Sequence, residues 1–515
     1  MEFLQENTQK YLSLSAKVKY MVKSKTIRRR FSKLTAIIVG MTVVAPIHAM
    51  AATDAPFVVR SHAPHQLQII QTGVAGLAKR LEMIDKAKSF IDVEYFIYNV
   101  DEAGRIFTQA LVQKKRKNPQ MRIRVLVDAG ALYLQVKGSL VSQLDAEKIE
   151  VRYYNPSPLI DVVDTQYRDH RKLLLVDTTD GLEAITGSRN IADEYFDMNE
   201  SFNFTDRDIV INGPIVKSMG QAFNKYWDDQ RVVPALNSGG IDLGQTQPTA
   251  IDFLTESGYD KYVKYQVQTV GGKELANPAS KGICNDITSV SDEPGFDPGQ
   301  NTGSPKRKVM NAMVARVELM KDGQQLWVES PYFIIRDAPA VQAMDSLEPR
   351  HIHATLLTNS LESTDAFYVA ANFLPRAAIY ERLTASNIFI YSGKPPQSLP
   401  AILGGQHNQK LVANAGWGIH SKTFVFGDSA FAIGTFNLDP RSADINTEMM
   451  ILCEGNKELT SFVVNNIKAK LHQSRELEAN GQPVDGGDIL KGAGLLKRIE
   501  FVFSLLPASI LDFLM

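Results

Sequence analysis

The residues of this chain best suited to catalysis are two histidines, each followed two residues later by a lysine. They are His170 with Lys172, in "HRKLLLVDTTDGLEAITGSRN", and His420 with Lys422, in "HSKTFVFGDSAFAIGTFN". On a strand, residues i and i+2 share a face, so each imidazole would lie beside an ammonium group. Such a pair favours an anion, and the imidazole can transfer a proton or attack as a nucleophile.

A single His-x-Lys is typical of an ordinary strand histidine, but here the pattern occurs twice. Each copy is followed by Gly-[Ser/Thr]-x-Asn, at residues 187–190 and 434–437. Each copy also follows a strand–helix–strand–helix–strand unit: "FIDVEYFIYNV", "MRIRVLVDAG" and "EVRYYNP" precede the first, and "LWVESPYFIIRDA", "HIHATLLTNS" and "NIFIYSG" precede the second. The repeat predicts an α/β protein of two similar sandwich halves, with both motif strands facing a shared cleft.

Two histidines, two lysines and the two asparagines, Asn190 and Asn437, would supply donors for the oxygens of a phosphate. One neutral imidazole can attack phosphorus while the other, protonated, donates to the leaving group. This division of labour predicts cleavage of a phosphodiester through a phosphohistidine, which water or a hydroxyl then resolves.

Each reactive ring also needs an acceptor on its other nitrogen. Glu448 in "NTEMM" follows the second motif, and Asp206 in "NFTDRDIVI" has the corresponding position in the first half, with Glu200 as the second choice there. The alternative is that these are plain surface carboxylates.

The predicted domains follow from this repeat. They are an export signal or N-terminal anchor at 1–51, a first half at 52–235, an irregular connection with a mobile loop at 236–308, a second half at 309–488 and an apolar segment at 489–515. The signal is indicated by "KSKTIRRRFSK", the apolar "LTAIIVGMTVVAPI" and "AMAA". The last segment, interrupted by Pro507, is too broken to span a membrane. It either packs on the core or lies in the lipid interface, which we favour slightly.

Composition excludes some classes of protein. Charged residues make up 22% of the chain and its formal net charge is −1, so binding of nucleic acid through overall charge is not expected. Cys284 and Cys453 have unrelated contexts, which predicts no disulfide and a buried strand thiol at Cys453. No cofactor or metal is expected, since the pairs His62 with His65 and His351 with His353 lack further ligands at suitable spacing.

The paired H-x-K motifs with their trailing Gly-[Ser/Thr]-x-Asn resemble the phospholipase D superfamily. "TNSLESTD", "GSRNIADEYF" and "GTFNLDPRS" with "NTE" resemble, more closely, bacterial cardiolipin synthases of the C type, and the likeness runs from about Phe90 to Cys453. It implies a phospholipase D-like fold with the active site between the halves. It assigns His170 as nucleophile and His420 as general acid and base, with Lys172 and Lys422 beside them. It assigns Asn190, Asn437 and the neighbouring hydroxyls of Ser188 and Thr435 to phosphate binding. It also places the motif aspartates Asp177 and Asp428 in the catalytic set, with Asp177 as its usual structural carboxylate.

Two departures from the family pattern stand out. Gly427 occupies the position of the second motif aspartate, and Asp428 follows one residue later. The segment "FYVAANFLPRAAIY" also differs from the corresponding part of the synthases, and it is expected to shape the acceptor site.

The implied function is phosphatidyl transfer on a membrane glycerophospholipid such as phosphatidylglycerol, to a lipid hydroxyl or to water. The sequence leaves these two acceptors open, as well as the oligomeric state. The alternatives are a nuclease or other polar phosphodiesterase, and a lipid-binding pseudoenzyme. The expected partner is a membrane surface, and the expected location is exported or membrane-associated in a bacterial envelope.

Overall fold

The computed structural model describes residues 56–130, 138–156, 166–235, 267–295, 307–335, 338–384, 386–395 and 415–510. The proposed export signal at 1–51 lies outside these residues. The strands are β1 (Val58–Ser61), β2 (His65–Ile70), β3 (Phe90–Tyr95), β4 (Arg122–Asp128), β5 (Glu150–Tyr154), β6 (Leu173–Thr178), β7 (Gly181–Gly187), β8 (Phe202–Thr205), β9 (Asp208–Asn212), β10 (Val232–Pro234), β11 (Lys281–Cys284), β12 (Asp286–Ser291), β13 (Gln325–Glu329), β14 (His353–Asn359), β15 (Ser386–Tyr391), β16 (Gly416–Ile419), β17 (Lys422–Phe426), β18 (Ala430–Gly434), β19 (Met449–Glu454) and β20 (Ser474–Glu476).

The helices connect these strands and cover their sheets. They are α1 (Gly73–Lys86), α2 (Glu102–Lys117), α3 (Gly138–Ala146), α4 (Val216–Trp227), α5 (Thr269–Leu275), α6 (Lys308–Glu318), α7 (Ala338–Asp345), α8 (Phe367–Phe373), α9 (Ala377–Thr384), α10 (Pro440–Asp444), α11 (Lys457–Leu471) and α12 (Leu495–Ile510).

In the described residues, eighteen of these strands form two large sheets with the same plan, and β8 pairs with β16 in a small third sheet. The first has the order β10-β5-β4-β3-β6-β7-β9-β2-β11, and the second has the order β20-β15-β14-β13-β17-β18-β19-β12-β1. In each, three central strands are parallel and the motif strand, β6 or β17, runs antiparallel beside them. The predicted pair of similar α/β halves is confirmed.

The sheets exchange one strand each. β1, which directly precedes β2 in the chain, pairs with β12 in the second sheet, whereas β11, which directly precedes β12, pairs with β2 in the first. One apolar core lies on the outer face of each sheet, and a third combines α4 and α11 with the inner faces of both sheets. The halves are therefore joined by a shared core and by backbone pairing.

The expected irregular connection at 236–308 is wrong for residues 269–291, which form α5, β11 and β12. The run "DITSVS" is polar and short, so its local pattern does not indicate a strand. It forms one because β1 and β19 supply hydrogen-bonding partners on its two sides. Pairing between distant segments overrides local composition here.

The prediction of unpaired cysteines is also wrong. Cys284, the last residue of β11, is disulfide-bonded to Cys453 in β19. Their sequence contexts gave no sign of this, because they meet only after β11 has joined the first sheet while β19 belongs to the second. The disulfide thus connects the two sheets.

Candidate active site

The two motif histidines lie just before the strands β6 and β17, where both sheets approach each other. His170 and His420 are 7% and 5% exposed, and Lys172 and Lys422 are fully buried. Lys172 Nζ donates to the carbonyl of His170 at 2.6 Å, and Lys422 Nζ donates to that of His420 at 2.5 Å. Each lysine therefore folds back toward the histidine of its own motif.

Each histidine is oriented by a carboxylate of the other half. Nδ1 of His170 lies 2.9 Å from Glu448 Oε2, and Nδ1 of His420 lies 2.9 Å from Asp206 Oδ2. All four side chains are buried. The structure therefore brings together both carboxylates selected from the sequence, but in a crossed arrangement that the sequence does not reveal.

Backbone pairing between the halves explains the crossing. β8, which leads to Asp206, pairs in parallel with β16, which leads to His420, and the amide of His420 donates to Thr205 O at 2.9 Å. On the other side, the amide of His170 donates to Thr447 O at 3.0 Å. Each carboxylate is thus the next residue after a backbone contact with the opposite histidine segment.

The motif hydroxyls hold these carboxylates. Ser188 Oγ donates to Asp206, and Thr435 Oγ1 donates to Glu448. Ser442 Oγ, which the sequence reasoning did not select, donates to Glu448 Oε1 at 2.7 Å. The assignment of Ser188 and Thr435 to phosphate is therefore corrected, because their hydroxyl protons are directed at carboxylates.

The two motif glycines permit this packing. A Cβ on Gly434 would lie 2.1 Å from Met449 O, and one on Gly187 would lie 2.4 Å from Arg207 O. These distances are far inside van der Waals contact. Only glycine lets the ends of β7 and β18 lie so close to the starts of β9 and β19, which directly follow the segments that carry the orienting carboxylates.

Burial and the concentration of positive charge set the protonation of the site. Burial and the neighbouring lysines lower the pKa of His170 well below its usual range and that of His420 to about 4. Burial lowers the pKa of Lys172 to about 7 and that of Lys422 to about 8. A bound anion would oppose every one of these shifts, so the electrostatics of the site favour a negatively charged ligand.

The pKa values of the two orienting carboxyl groups are shifted in opposite directions. Burial raises the pKa of Glu448 to about 8. Burial also opposes ionisation of Asp206, but the charges of His420, Arg189 and Lys422 outweigh it and hold the pKa of Asp206 below its usual range. Asp206 is therefore the better partner for an imidazolium, so His420 is the ring that is more readily protonated once a bound anion opposes the lowering of its pKa.

Aromatic rings flank both imidazoles. The centroid of Phe96 lies 5.0 Å from that of His170, and Tyr195 and Phe204 lie 5.1 and 4.9 Å from His420. These rings restrict water around the imidazoles and limit their rotation. None of the three was selected from the sequence, because an aromatic residue near a strand end is equally typical of a core.

The motif asparagines are both buried but differ in their contacts. Asn190 Oδ1 accepts the amide proton of Ile97 at 3.1 Å, which orients its Nδ2 as a donor. Asn437 is 5% exposed, and its Oδ1 has no hydrogen-bond partner in the described residues. Both amides are suitably buried to contact a phosphate.

The motif aspartates lie away from this cluster. Asp177 accepts the amide protons of Ser89 and Phe90, both at 2.9 Å, and so holds the start of β3. Asp428 is an exposed turn residue that pairs with Lys457. The catalytic assignment of both is corrected. Glu200, the second choice for orienting a histidine, is exposed.

The backbone conformation at Gly427 explains why glycine occupies the motif position and the aspartate follows one residue later. Its φ is +70°, in the left-handed region where a residue with a Cβ is strained. Glycine therefore suits the turn between β17 and β18, and the acidic residue follows it without a structural role comparable to that of Asp177.

The family described as "Cardiolipin synthase, PLD-like domain" matches residues 81–227 and 317–470, which together make up more than half of the chain. The chain belongs to this family. The two matched segments contain the two motifs, both orienting carboxylates and the strands β3–β9 and β13–β19.

Individual proteins similar to this chain include two cardiolipin synthases and a solved phosphatidylserine synthase. Cardiolipin synthase C of Escherichia coli is 26% identical over 394 residues, covering 75% of this chain and 80% of that protein. The major cardiolipin synthase ClsA of Bacillus subtilis is 31% identical over 167 residues, covering 32% of this chain and 33% of that protein. The crystal structure of phosphatidylserine synthase from Haemophilus influenzae has the same fold, with a TM-score of 0.58 at 13% identity, over 87% of this chain and 94% of that one.

Proposed function

We propose that the protein transfers a phosphatidyl group from a phospholipid such as phosphatidylglycerol to the hydroxyl of a second lipid, forming cardiolipin. The buried cluster of two histidines, two lysines and two crossed carboxylates is the observation that carries this proposal. Family membership supports the enzyme class, and the similarity to cardiolipin synthase C supports a lipid hydroxyl as the acceptor.

In the first step, Nε2 of His170 attacks phosphorus while the bond from phosphorus to the head-group oxygen breaks. His420 gives its Nε2 proton to the departing oxygen, and Glu448 accepts the Nδ1–H of His170 throughout. Lys172, Lys422 and the two asparagine amides stabilise the charge on the phosphoryl oxygens.

In the second step, His420 takes the proton of the acceptor hydroxyl, whose oxygen attacks phosphorus. The bond to His170 Nε2 breaks and the free histidine is restored. Water in place of the lipid hydroxyl would give phosphatidic acid, so the acceptor that reaches the site decides between transfer and hydrolysis.

The first experiment separates these products. Purified protein is incubated with vesicles of labelled phosphatidylglycerol, and lipids and released glycerol are quantified. Cardiolipin with an equal amount of glycerol supports transfer, whereas phosphatidic acid as the main product would replace it with hydrolysis. His170→Ala and His420→Ala should each abolish both products, and full activity in either variant would exclude the two-histidine mechanism.

A second experiment assigns the two histidine roles. A phosphatidyl ester of p-nitrophenol needs no proton on its leaving group, so His420→Ala should still form the covalent intermediate and release one equivalent of nitrophenol. Mass spectrometry should then find the phosphatidyl group on the peptide containing His170, with a bond that acid cleaves and base does not. A modified His420 in the His170→Ala variant would reverse the roles.

We also propose that the protein functions outside the cytoplasm, in the bacterial envelope. The Cys284–Cys453 disulfide supports this location, because disulfides persist in oxidising compartments. The signal-like residues 1–51 agree with it. Sequencing the N-terminus of protein from the envelope fraction tests the proposal: cleavage after Ala51 is expected, and recovery in the cytoplasmic fraction would contradict it.

A further inference from the structure

The helix α12 has its apolar side chains on the outside. Five large residues are between 42% and 76% exposed: Leu495, Leu496, Ile499, Val502 and Phe503. At 3.6 residues per turn they fall within an arc of about 120°. None of them is charged. We call this arc the apolar ridge.

The opposite face of α12 attaches to the protein through both polar groups and apolar packing. Lys497 Nζ donates to Glu362 O at 2.6 Å and to Thr364 O at 2.9 Å. Arg498 donates to three groups of the preceding turn, and Phe501 is buried in the outer core of the second half. A helix that turns its cations inward and its apolar side chains outward is suited to an apolar environment on its outer side.

The helix lies close to the catalytic cluster. Lys497 holds the loop that follows Asn359, and the side chain of Asn359 bonds both the amide and the carbonyl of Ile419, each at 2.8 Å. Ile419 directly precedes His420. Lys497 Nζ also lies 5.6 Å from the centroid of the Phe202 ring. That ring contacts Phe204, whose ring in turn contacts the His420 imidazole.

We propose that the apolar ridge docks α12 onto the surface of the lipid bilayer and presents the neighbouring cleft to phospholipid head groups. The inference rests on the proposed function for its purpose, since a lipid-modifying site must meet a substrate held in a membrane. Across the described parts of the chain, no helix has the length and apolarity to cross a bilayer. α12 is about 24 Å long, so it would lie along the surface.

Site-specific labelling tests the docking directly. Both native cysteines are in the disulfide, so an introduced cysteine can be labelled alone with a polarity-sensitive fluorophore. Phe503→Cys should show a blue shift and brighter emission on adding vesicles of phosphatidylglycerol and phosphatidylethanolamine. Leu319→Cys is the matched control, because Leu319 is 56% exposed at the end of α6 and should report water throughout. No shift at position 503, or equal shifts at both positions, would overturn the proposal.

Charged substitutions in the apolar ridge should impair the binding and turnover of lipid in vesicles but not the turnover of dispersed lipid. Val502→Glu combined with Phe503→Glu should lower vesicle binding and turnover of vesicle lipid about tenfold or more, because two apolar side chains no longer enter the lipid. Turnover of a dispersed short-chain phospholipid should stay within about twofold of the native enzyme, and Leu319→Glu should change neither. Unchanged vesicle binding in the double variant would contradict docking through the ridge.

Two outcomes separate this inference from the proposed function. If native protein turns over neither substrate while the label at position 503 still enters vesicles, the function fails and the docking stands. If the native protein is a dimer in solution that the double variant dissociates, and the label shifts with protein concentration instead of with vesicles, the ridge binds a second copy and the docking is wrong.

Discussion

Glu448 of the second half lies with its carboxylate 2.9 Å from Nδ1 of His170 in the first half. The reciprocal contact joins Asp206 to His420. Neither half therefore contains a histidine with its own orienting acceptor, although each contains a complete H-x-K motif. The duplicated sequence forms one site, and the pairing of the halves is part of that site.

Replacing either orienting carboxyl group by an amide should slow the chemistry. We expect Glu448→Gln and Asp206→Asn each to lower kcat by about 10²–10⁴-fold with little change in KM. An amide does not stabilise an imidazolium, and it can present its NH₂ group to Nδ1 and so select the wrong tautomer. Steady-state kinetics on a dispersed short-chain phospholipid measures both constants.

Asp428→Asn is the matched control for those variants. Asp428 belongs to the second motif region but is exposed and pairs with Lys457, so its amide variant should keep native kcat. If Glu448→Gln behaved like Asp428→Asn, the crossed carboxylate would have no part in catalysis.

Phosphate binding should weaken at alkaline pH. Burial lowers the pKa of Lys172 to about 7 and of Lys422 to about 8, so the free site loses its ammonium charges between about pH 7 and 9. We expect the affinity for glycerophosphoglycerol, a diester whose charge is constant in this range, to fall about tenfold or more. Calorimetry at pH 7, 8 and 9 measures the affinity, and repeating it in buffers of different ionisation enthalpy should detect proton uptake.

The same lysines should make the free energy of unfolding increase with pH, whereas they make the phosphate affinity decrease. Their pKa values are lower in the folded than in the unfolded chain, so the unfolded chain binds more protons between about pH 7 and 10. Their contribution to the free energy of unfolding therefore rises with pH. Lys172→Met with Lys422→Met should remove most of both pH effects. Affinity that increases toward pH 9 would contradict the assignment of the lysines.

The local features of the site were available from the sequence. The H-x-K spacing, the trailing glycine and asparagine, and the apolar strands around them all follow from short-range patterns, and they predicted two halves and both orienting carboxylates. The family resemblance added the assignment of the histidine roles.

The contacts between segments that are distant in the chain could not be predicted from the sequence. The crossed position of Asp206 depends on pairing between β8 and β16, and that of Glu448 depends on the backbone contact between His170 and Thr447. The disulfide depends on β11 joining the other sheet. The strand β12 has no hydrophobic pattern of its own and is defined by its neighbours. In each case the deciding partner is far away in sequence, so no local pattern could indicate it.

The disulfide should stabilise the folded chain substantially. It links residues separated by 169 positions, so it restricts the unfolded chain strongly. We expect Cys284→Ser with Cys453→Ser to lower the free energy of unfolding by about 2–5 kcal/mol. Urea unfolding with and without reductant measures this: reductant should destabilise the native protein and leave the double variant unchanged. Equal stability of the two proteins without reductant would contradict a disulfide in the native protein.

The glycine of the second motif should be essential to both stability and activity. A Cβ at position 434 would overlap Met449 O, next to Glu448, so Gly434→Ala must displace the start of β19. We expect a loss of about 1–3 kcal/mol in the free energy of unfolding, typical of overpacking, and a loss of at least about tenfold in kcat as Glu448 moves from His170. Gly272→Ala is the control, because its Cβ would meet no atom within 4 Å in α5. Urea unfolding and steady-state kinetics on both variants test this, and native values for Gly434→Ala would show that β19 yields without moving the carboxylate.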